Sequence, residues 1–350
     1  MLHVTVPRPG VVLGNRYRLI QQLGRGGMAQ VWRGFDERMQ RPVAIKVFDD
    51  DLDDPASVAR QRAEIRALSD LSHPNLVAFL DARHVGDGVE GSGEPAYLVM
   101  EFVEGPTLAQ RLTLGSPSVG EVGEIARGIA AALAAAHSHG MVHRDVKPAN
   151  ILLARDAAGR LVPKLSDFGI AHRLGSGRIT RTSMVVGTAA YLSPEQARGG
   201  TIGPPTDVYA LGLVLLEALT GRRVYDGAPL EAAAARLHHA PGIPATLPAP
   251  WPSLLTAMTQ LDPTSRPSAS VVLGVLEGRA RVPVRPVPVP PAVRIAPPVP
   301  TPPYRPVTTP SQPPRPARRR NRRLSGLAAL ITIMMFIALA AFAVAILTSH

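Results

Sequence analysis

His143-Arg-Asp-Val-Lys-Pro-Ala-Asn150, followed by Asp167-Phe-Gly169, is the part of the sequence that decides the fold. The transfer of a phosphoryl group needs a carboxylate near the attacking hydroxyl, oxygen ligands for Mg²⁺ and a cation on the nucleotide phosphates. Asp145, Asn150 and Asp167 supply the carboxylate and the oxygen ligands. These residue types, in this order, point to phosphoryl-transfer chemistry.

The cation is found upstream, in Val43-Ala-Ile-Lys46, where a lysine stands inside an apolar strand. A buried ammonium needs a partner, and Glu64, on the helix-like stretch that follows, is the obvious carboxylate. Taken alone, Lys46 is equally well explained as an ordinary edge-strand lysine, and Glu64 is better explained as a solvated helix residue.

A glycine-rich turn stands between two predicted strands, in Leu23-Gly-Arg-Gly-Gly-Met-Ala-Gln-Val31. Gly24, Gly26 and Gly27 would let backbone N–H groups approach phosphates without a Cβ in the way. A hairpin turn needs glycine too, so this signal is weak by itself. A strand rather than a helix follows, which excludes a dinucleotide-binding fingerprint.

Taken together, these stretches resemble the eukaryotic-like protein kinases. The matching motifs are Gly24-x-Gly26, Val43-Ala-Ile-Lys46, His143-Arg-Asp145, Asn150, Asp167-Phe-Gly169 and Ser193-Pro-Glu195. The Gly-Gly-Met of the loop and the stretch Gly187–Gln196 resemble the bacterial serine/threonine (Hanks-type) branch. The resemblance covers about residues 14–277.

The resemblance implies a role for each matched residue. Asp145 is the base for the substrate hydroxyl, Lys147 contacts the transferred phosphate, and Thr188 favours a serine or threonine acceptor. The implied catalytic residues are Asp145, Lys147, Lys46 and Glu64; the metal ligands are Asn150 and Asp167, for Mg²⁺ or alternatively Mn²⁺. The implied ATP contacts are Leu23, Gly24, Gly26, Gly27, Val31, Ala44, Lys46, the gatekeeper Met100, and Glu101 and Val103 of the adenine hinge.

Other matched residues have structural roles by the same resemblance. Asp207 braces the catalytic loop, and Arg266 pairs with Glu195. Apart from the resemblance, His143 is interpreted as a support of the loop by packing and hydrogen bonding. His137 has no metal-ligand spacing with nearby carboxylates and is interpreted as a helix-end or core histidine.

Thr180 and Thr182 are the best candidates for regulatory phosphorylation in the stretch between Gly169 and Gly187. Arg144, directly before Asp145, could pair with a phosphate placed there and order the segment. The alternative is that serine and threonine simply populate loops.

The order of the segments predicts an α+β, bilobal protein-kinase fold. Strands are predicted near residues 17–22, 31–35, 43–48 and 97–102, and helices near 58–71, 121–139 and 208–219. We expect a flexible leader over 1–13 and a kinase domain over 14–277. Its small β-rich N-lobe with one helix covers about 14–102, and its larger helical C-lobe about 103–277.

The charge of the chain is concentrated in a tail. The 350 residues carry a net charge of +11 and no cysteine, which excludes disulfides and thiolate chemistry. Residues 278–323 contain 11 Arg, 15 Pro, no Lys and no acidic residue, whereas residues 1–277 hold equal numbers of basic and acidic residues. This distribution argues against a nucleic-acid-binding globule and predicts a disordered, extended linker over 278–323. A Pro-rich ligand for a partner domain is the alternative.

An apolar stretch follows the linker. Between Leu327 and Leu347 the only polar side chain is Thr332, and such a helix, about 31 Å long, would cross a bilayer. We therefore predict a single transmembrane helix over 324–347 and a short external end over 348–350. Five arginines between 318 and 323 keep the kinase domain cytoplasmic at the plasma membrane and can bind anionic lipid.

The sequence thus predicts a membrane-tethered, non-specific serine/threonine protein kinase that uses ATP in signalling and autophosphorylates its activation loop. The expected partners are protein substrates, the bilayer and a second copy of the chain for trans-autophosphorylation, with no nucleic acid. The alternatives are a catalytically weak pseudokinase scaffold at the membrane and a small-molecule or lipid kinase.

Overall fold

The computed structural model describes residues 7–26, 29–48, 71–83, 94–168, 189–225, 236–237 and 239–282. Predictions for Gly27, Glu64, Thr180, Thr182 and Thr188 lie outside these ranges, as do the predicted helix near 58–70 and nearly all of the predicted linker. No helix within the described ranges is both long and apolar enough to cross a bilayer, and the predicted span over 324–347 falls outside them.

Six antiparallel strands form one sheet in the N-terminal part. The strands are β1 (Val12–Leu13), β2 (Tyr17–Arg25), β3 (Ala29–Asp36), β4 (Arg41–Phe48), β5 (Phe79–Arg83) and β6 (Tyr97–Glu101), in the spatial order β1-β2-β3-β4-β6-β5. Alternation along β4 explains the two faces of the sheet, because Val43, Ile45 and Val47 are buried on one face while Lys46 lies on the other.

The outer face of this sheet has a hydrophobic core of its own. Tyr17, Leu19, Trp32 and Ile45 are buried there, and Leu13 is fully buried beside them. The opposite face of the sheet carries Lys46 and borders the cleft between the sheet and the helical part.

The sequence predicted a flexible leader over residues 1–13, and residues 7–13 of that segment lie against the sheet. β1 pairs with β2, the Gly10 N–H donates to Leu19 O, and the Leu19 N–H donates to Val11 O, each at 2.8 Å. Burial of Leu13 provides the physical reason, since an apolar side chain that packs on the sheet offsets the entropy of ordering a short segment. Residues 1–6 lie outside the described ranges.

Six α-helices are given by the described residues of the C-terminal part. They are α1 (Leu108–Thr113), α2 (Val119–Ser138), α3 (Pro194–Arg198), α4 (Pro204–Thr220), α5 (Trp251–Met258) and α6 (Ala269–Leu276). α4 is buried along nearly its whole length and α2 packs against it. An Ala- and Leu-rich sequence explains this, because a helix that is apolar on every face lies inside the core.

A two-stranded hairpin, β7 (Ile151–Arg155) and β8 (Leu161–Leu165), lies against α2 and was not predicted from the sequence. β7 follows directly on the predicted catalytic loop, and β8 leads within two residues to Asp167. The hairpin therefore sets the distance between the two parts of the predicted site.

A buried ion pair between Glu195 and Arg266 joins the start of α3 to the segment before α6. Arg266 Nη1 and Nη2 donate to Glu195 Oε1 and Oε2 at 2.7 and 2.9 Å, and Thr206 Oγ1 donates to Oε1 at 2.7 Å. The Arg266 guanidinium also lies over the Tyr209 ring, 4.7 Å from its centroid. Burial raises the pKa of the Glu195 carboxyl, but the hydrogen bonds from Arg266 and Thr206 outweigh it and hold the pKa below its ordinary value.

We predict that Glu195→Gln lowers the free energy of unfolding by about 3–5 kcal/mol, because it leaves the buried Arg266 cation without its carboxylate. Chemical denaturation measures this loss. The control is Glu37→Gln, which breaks the exposed pair with Arg18 and should cost no more than about 1 kcal/mol. Equal losses in the two variants would contradict the assignment.

Candidate active site

The loop over residues 143–150 connects α2 to β7, and the buried carboxylate of Asp207 holds its beginning. Asp207 Oδ2 accepts from the His143 N–H at 2.8 Å, and Oδ1 accepts from the Arg144 N–H at 2.7 Å. His137 Nε2 donates to Oδ2 at 2.8 Å. Asp207 lies in the first turn of α4 and is fully buried, so the predicted brace is present and rests on the core helix.

Two non-glycine residues of the site have left-handed backbones, Arg144 with φ 69° and Asp167 with φ 57°. Such conformations cost about 1–3 kcal/mol each and persist where surrounding contacts impose them. At Arg144 these contacts are the bond to Asp207 and the bond from Gln196 Nε2 to the Arg144 carbonyl, at 2.8 Å. Contacts with the helical core therefore stabilise the left-handed turn at Arg144, and this turn determines the direction of the Asp145 side chain.

The His143 ring makes one hydrogen bond through each of its two nitrogens. Nε2 lies 2.8 Å from the Ser166 carbonyl, which can only accept, while Nδ1 accepts from the Asp145 N–H at 3.3 Å. The ring also packs against Phe168, with centroids 4.8 Å apart. His143 thus supports the loop by packing and hydrogen bonding, as the sequence predicted.

Asp145 lies at the centre of the loop with two neighbours on one oxygen. Lys147 Nζ donates to Asp145 Oδ2 at 2.8 Å, and Asn150 Nδ2 donates to the same oxygen at 3.2 Å and to the Asp145 carbonyl at 2.8 Å. Because Nδ2 makes both Asn150 bonds, Oδ1 is the Asn150 atom suited to a cation. A carboxylate, a lysine and an amide oxygen are therefore brought together as predicted.

Lys46 and Asp167 meet across the cleft, one from the sheet and the other from the segment after β8. Lys46 Nζ donates to Asp167 Oδ1 at 2.7 Å. Burial raises the pKa of the Asp167 carboxyl, but the nearby Lys46 ammonium and its hydrogen bond outweigh this and leave the pKa lowered. Asp167 is therefore ionised at neutral pH and suited to a divalent cation. The predicted partner Glu64 lies outside the described residues.

A cavity next to this ion pair contains the predicted gatekeeper. Met100 and Leu98 from β6, Phe79 from β5, and Leu165 from the end of β8 line it together with Lys46 and Asp167. The apolar lining adjoins the two charges, which is the composition expected beside a site for an aromatic base that carries phosphates.

Predicted ATP contacts on the sheet share one region. Ala44 is the register partner of Met100, and Val31 is the register partner of both Lys46 and Gly24. The Gly26 N–H donates to the Ala29 carbonyl at 2.8 Å and closes the glycine turn, whose other predicted member, Gly27, is outside the described residues. A Cβ on Gly24 would meet no atom within 4 Å, so open space lies beside the turn.

The predicted hinge begins where β6 ends. Glu101 is the last residue of the strand, and Val103 is largely buried. Between them, Phe102 lies under the Arg33 guanidinium, 5.0 Å from the ring centroid. The sequence did not predict this contact, nor the bond from His137 to Asp207, because each joins residues from distant elements.

The arrangement provides two metal-ligand atoms and a proton acceptor but no complete metal cage. Within the described ranges, no cluster of three or more His, Asp or Glu side chains could hold an ion. Mg²⁺ is commonly bound by one or two protein ligands together with substrate phosphates and water, so Asn150 and Asp167 fit that ion in the presence of a nucleotide.

Comparisons with known proteins agree with this geometry. The family model described as protein kinase domain matches residues 17–275. The chain is 39% identical over 300 residues to the serine/threonine-protein kinase PknA of Mycobacterium tuberculosis, covering 83% of this chain and 68% of PknA. It is 43% identical over 220 residues to the serine/threonine-protein kinase PrkC of Bacillus subtilis, covering 62% of this chain and 32% of PrkC.

A further relative is the serine/threonine-protein kinase PknL of Mycobacterium tuberculosis, 36% identical over 275 residues that cover 77% of this chain and 66% of PknL. The family model spans well over half of the chain. The chain therefore belongs to the protein kinase family, within its bacterial, Hanks-type serine/threonine branch.

Proposed function

We propose that this kinase transfers the γ-phosphoryl group of ATP, with Mg²⁺, to serine or threonine hydroxyls of proteins, and that it does so tethered to the plasma membrane. The observation that carries the catalytic part is the convergence of Asp145, Asn150 and Asp167 with Lys46 from the sheet. Each residue type that phosphoryl transfer needs is present, and the Ser166 N–H, directly before Asp167, donates to the Asn150 carbonyl at 2.9 Å and so links the two pairs.

Asp145 acts as the base in this proposal. Its carboxylate orients the substrate hydroxyl and accepts its proton as the oxygen attacks phosphorus in line. Lys147, 2.8 Å from Asp145 Oδ2, places a positive charge beside the transferred phosphate. Because the backbone of Arg144 is locked by Asp207, Asp145 needs no rearrangement to act, and such preorganisation is the main source of rate in this chemistry.

The cation site uses Asn150 Oδ1 and the Asp167 carboxylate, with Mg²⁺ or Mn²⁺ supplying charge neutralisation at the phosphates when bound. Lys46, now paired with Asp167, would contact the α- and β-phosphates, and Glu64 would then hold its ammonium. The adenine would lie between Leu23, Val31 and Ala44 on the sheet and the hinge backbone at Glu101 and Val103. The glycine turn, with Gly24, Gly26 and Gly27, would cover the phosphates.

A pseudokinase scaffold is the alternative reading. It predicts that one or more chemical groups are missing or misplaced. Lys46, Asp145, Asn150 and Asp167 are all present, and Asp145 contacts both Lys147 and Asn150. These contacts favour an active enzyme.

We propose that Thr180 and Thr182 are phosphorylated by a second copy of the chain and that this raises activity. A phosphate there would pair with Arg144, whose backbone is already fixed by the catalytic loop. Thr188 would favour the serine or threonine acceptor.

The membrane tether rests on the apolar stretch over 324–347 and on the arginines that precede it. In this proposal the kinase domain is cytoplasmic, and a linker over 278–323 connects it to the spanning helix. At ~3.1 Å per residue for an extended Pro-rich chain, that linker would reach at most roughly 140 Å. The kinase could then meet protein substrates well away from its anchor.

The first prediction from this proposal is that Asp145→Asn lowers the transfer of labelled phosphate to protein by about 10²–10⁴-fold, because the variant keeps the shape but loses the base. Binding of MgADP, measured by calorimetry, should stay close to the wild-type value. Asp156→Asn, in the exposed turn between β7 and β8, is the control and should transfer normally. Wild-type transfer by Asp145→Asn would contradict the assigned role.

The second prediction concerns the activation loop. Mass spectrometry of active enzyme should show phosphate on Thr180 or Thr182, and the double variant Thr180→Ala/Thr182→Ala should be several-fold slower, because it lacks the charge that pairs with Arg144. The control is Ser176→Ala, which should keep the wild-type rate. Unmodified threonines in active enzyme, or an unchanged rate, would refute the proposal.

The third prediction concerns the tether. Deletion of residues 324–350 should move the protein from the membrane pellet to the soluble fraction, because the apolar stretch is removed. Deletion of residues 348–350 alone is the control and should leave it in the pellet. If both truncated proteins sediment equally with membranes, the prediction of a spanning helix is wrong.

A further inference from the structure

One charged contact of the described chain joins the hinge to the hairpin that leads to the proposed metal site. This contact takes no part in the mechanism proposed above. Lys164 lies on β8, three positions before Asp167, and Glu101 ends β6, directly after the gatekeeper Met100. Lys164 Nζ donates to Glu101 Oε2 at 2.9 Å. We propose that Lys164, through this ion pair, positions the hinge and thereby sets the affinity for the adenine nucleotide. The inference rests on the proposed use of ATP.

The ion pair is part of a closed set of bonds. Glu101 Oε2 also accepts from the Ala78 N–H at 3.2 Å, the Glu101 N–H donates to the Ala78 carbonyl at 2.8 Å, and Lys164 Nζ lies 3.5 Å from the Leu76 carbonyl. The segment between Leu76 and Ala78 is thus enclosed by the hinge on one side and by β8 on the other.

The two partners are not held equally well by the rest of the fold. β8 is paired along its length with β7, and Leu165 exchanges backbone hydrogen bonds with Asn75 and Val77 at 2.9 and 3.0 Å. Glu101 is the last paired residue of β6, and irregular chain follows from Phe102 to Pro106. When the pair is broken, the chain after Glu101, which has no regular pairing, is therefore the less firmly held side.

The partial burial of the pair also favours a large effect on nucleotide affinity when the pair is broken. The side chains of Lys164 and Glu101 are only 16% and 33% exposed, so water screens their attraction less than at an exposed pair. The Lys164 charge also acts on His73 nearby: burial first, and then Lys164, lower the pKa of that imidazole, so His73 stays neutral and adds no competing cation at neutral pH.

The hinge backbone would bind adenine in both the ground state and the transition state. Loss of a contact of this kind weakens substrate binding without slowing the chemical step, so KM rises while kcat is preserved. A residue that only stabilised the fold would lower the amount of active enzyme and change no affinity.

The test uses the full-length protein in detergent, with the dissociation constant for MgADP from calorimetry and KM and kcat for ATP from phosphate transfer. The variants are Lys164→Met, which keeps the length of the side chain but not its charge, and Lys164→Arg, which keeps the charge. The matched control is Arg111→Met, which breaks a pair with Glu121 of similar exposure between α1 and α2. Thermal unfolding is recorded for each protein.

For Lys164→Met we expect the dissociation constant for MgADP and the KM for ATP to rise about three- to tenfold, in line with measured couplings of contacting charges, with kcat within about twofold of wild type. Lys164→Arg should recover most of the affinity. Arg111→Met should leave both constants unchanged.

Unchanged affinity in Lys164→Met, or a change equal to that of Arg111→Met, would overturn the inference, as would a fall in kcat at constant affinity. Wild-type protein that fails to bind MgADP would instead overturn the proposed use of ATP. The two failures are therefore distinguishable.

Discussion

The buried carboxylate of Asp207 is the constraint on which the rest of the site depends. It accepts hydrogen bonds from two consecutive backbone N–H groups, at His143 and Arg144, and from the His137 side chain. A buried carboxylate that lost these donors would carry an unsatisfied charge, so the loop cannot leave without a large cost. The left-handed turn at Arg144 is the consequence, and the direction of the Asp145 side chain follows from that turn. The catalytic geometry is therefore a property of the helical core, transmitted through α4.

The sheet and the helical part meet the site from opposite sides, and charged pairs connect them. Lys46 reaches from β4 to Asp167 at 2.7 Å, and Glu101 at the end of β6 meets Lys164 on β8. In each pair one partner belongs to the six-stranded sheet and the other to β8 or to the segment that follows it. Because Coulomb attraction acts over several ångströms and tolerates small displacements, such pairs couple the two sides more loosely than a packed core would.

The sequence predicted the site better than it predicted the surroundings of the site. Asp145, Asn150 and Asp167 lie in short motifs that residue type and order are enough to recognise. The structure places Lys46 beside Asp167 and Asn150 beside Asp145. Contacts such as those between His137 and Asp207 join residues far apart in the chain, and no local pattern encodes them. β7 and β8 were missed because five-residue strands without strict alternation produce little periodic signal. Residues 7–13 show no local pattern that placed them in the sheet, and the burial of Leu13, a contact with distant residues, decides their position.

The cations of this chain fall into two groups, and the two groups have different surroundings. The arginines of the tail stand in a segment without acidic residues, and we propose that they face an anionic membrane surface. Within the described domain, three cations each contact a carboxylate at 2.9 Å or less: Lys46, Lys164 and Arg266. Each of these charges therefore fixes the position of its partner. Arg266 is the most deeply buried of the three and holds the helices together. Lys46 and Lys164 lie nearer the candidate site, where we propose that one pair is exchanged for the phosphates of a ligand and the other positions the hinge. The depth of each cation thus separates the pair that joins the helices from the pairs that lie beside the candidate site.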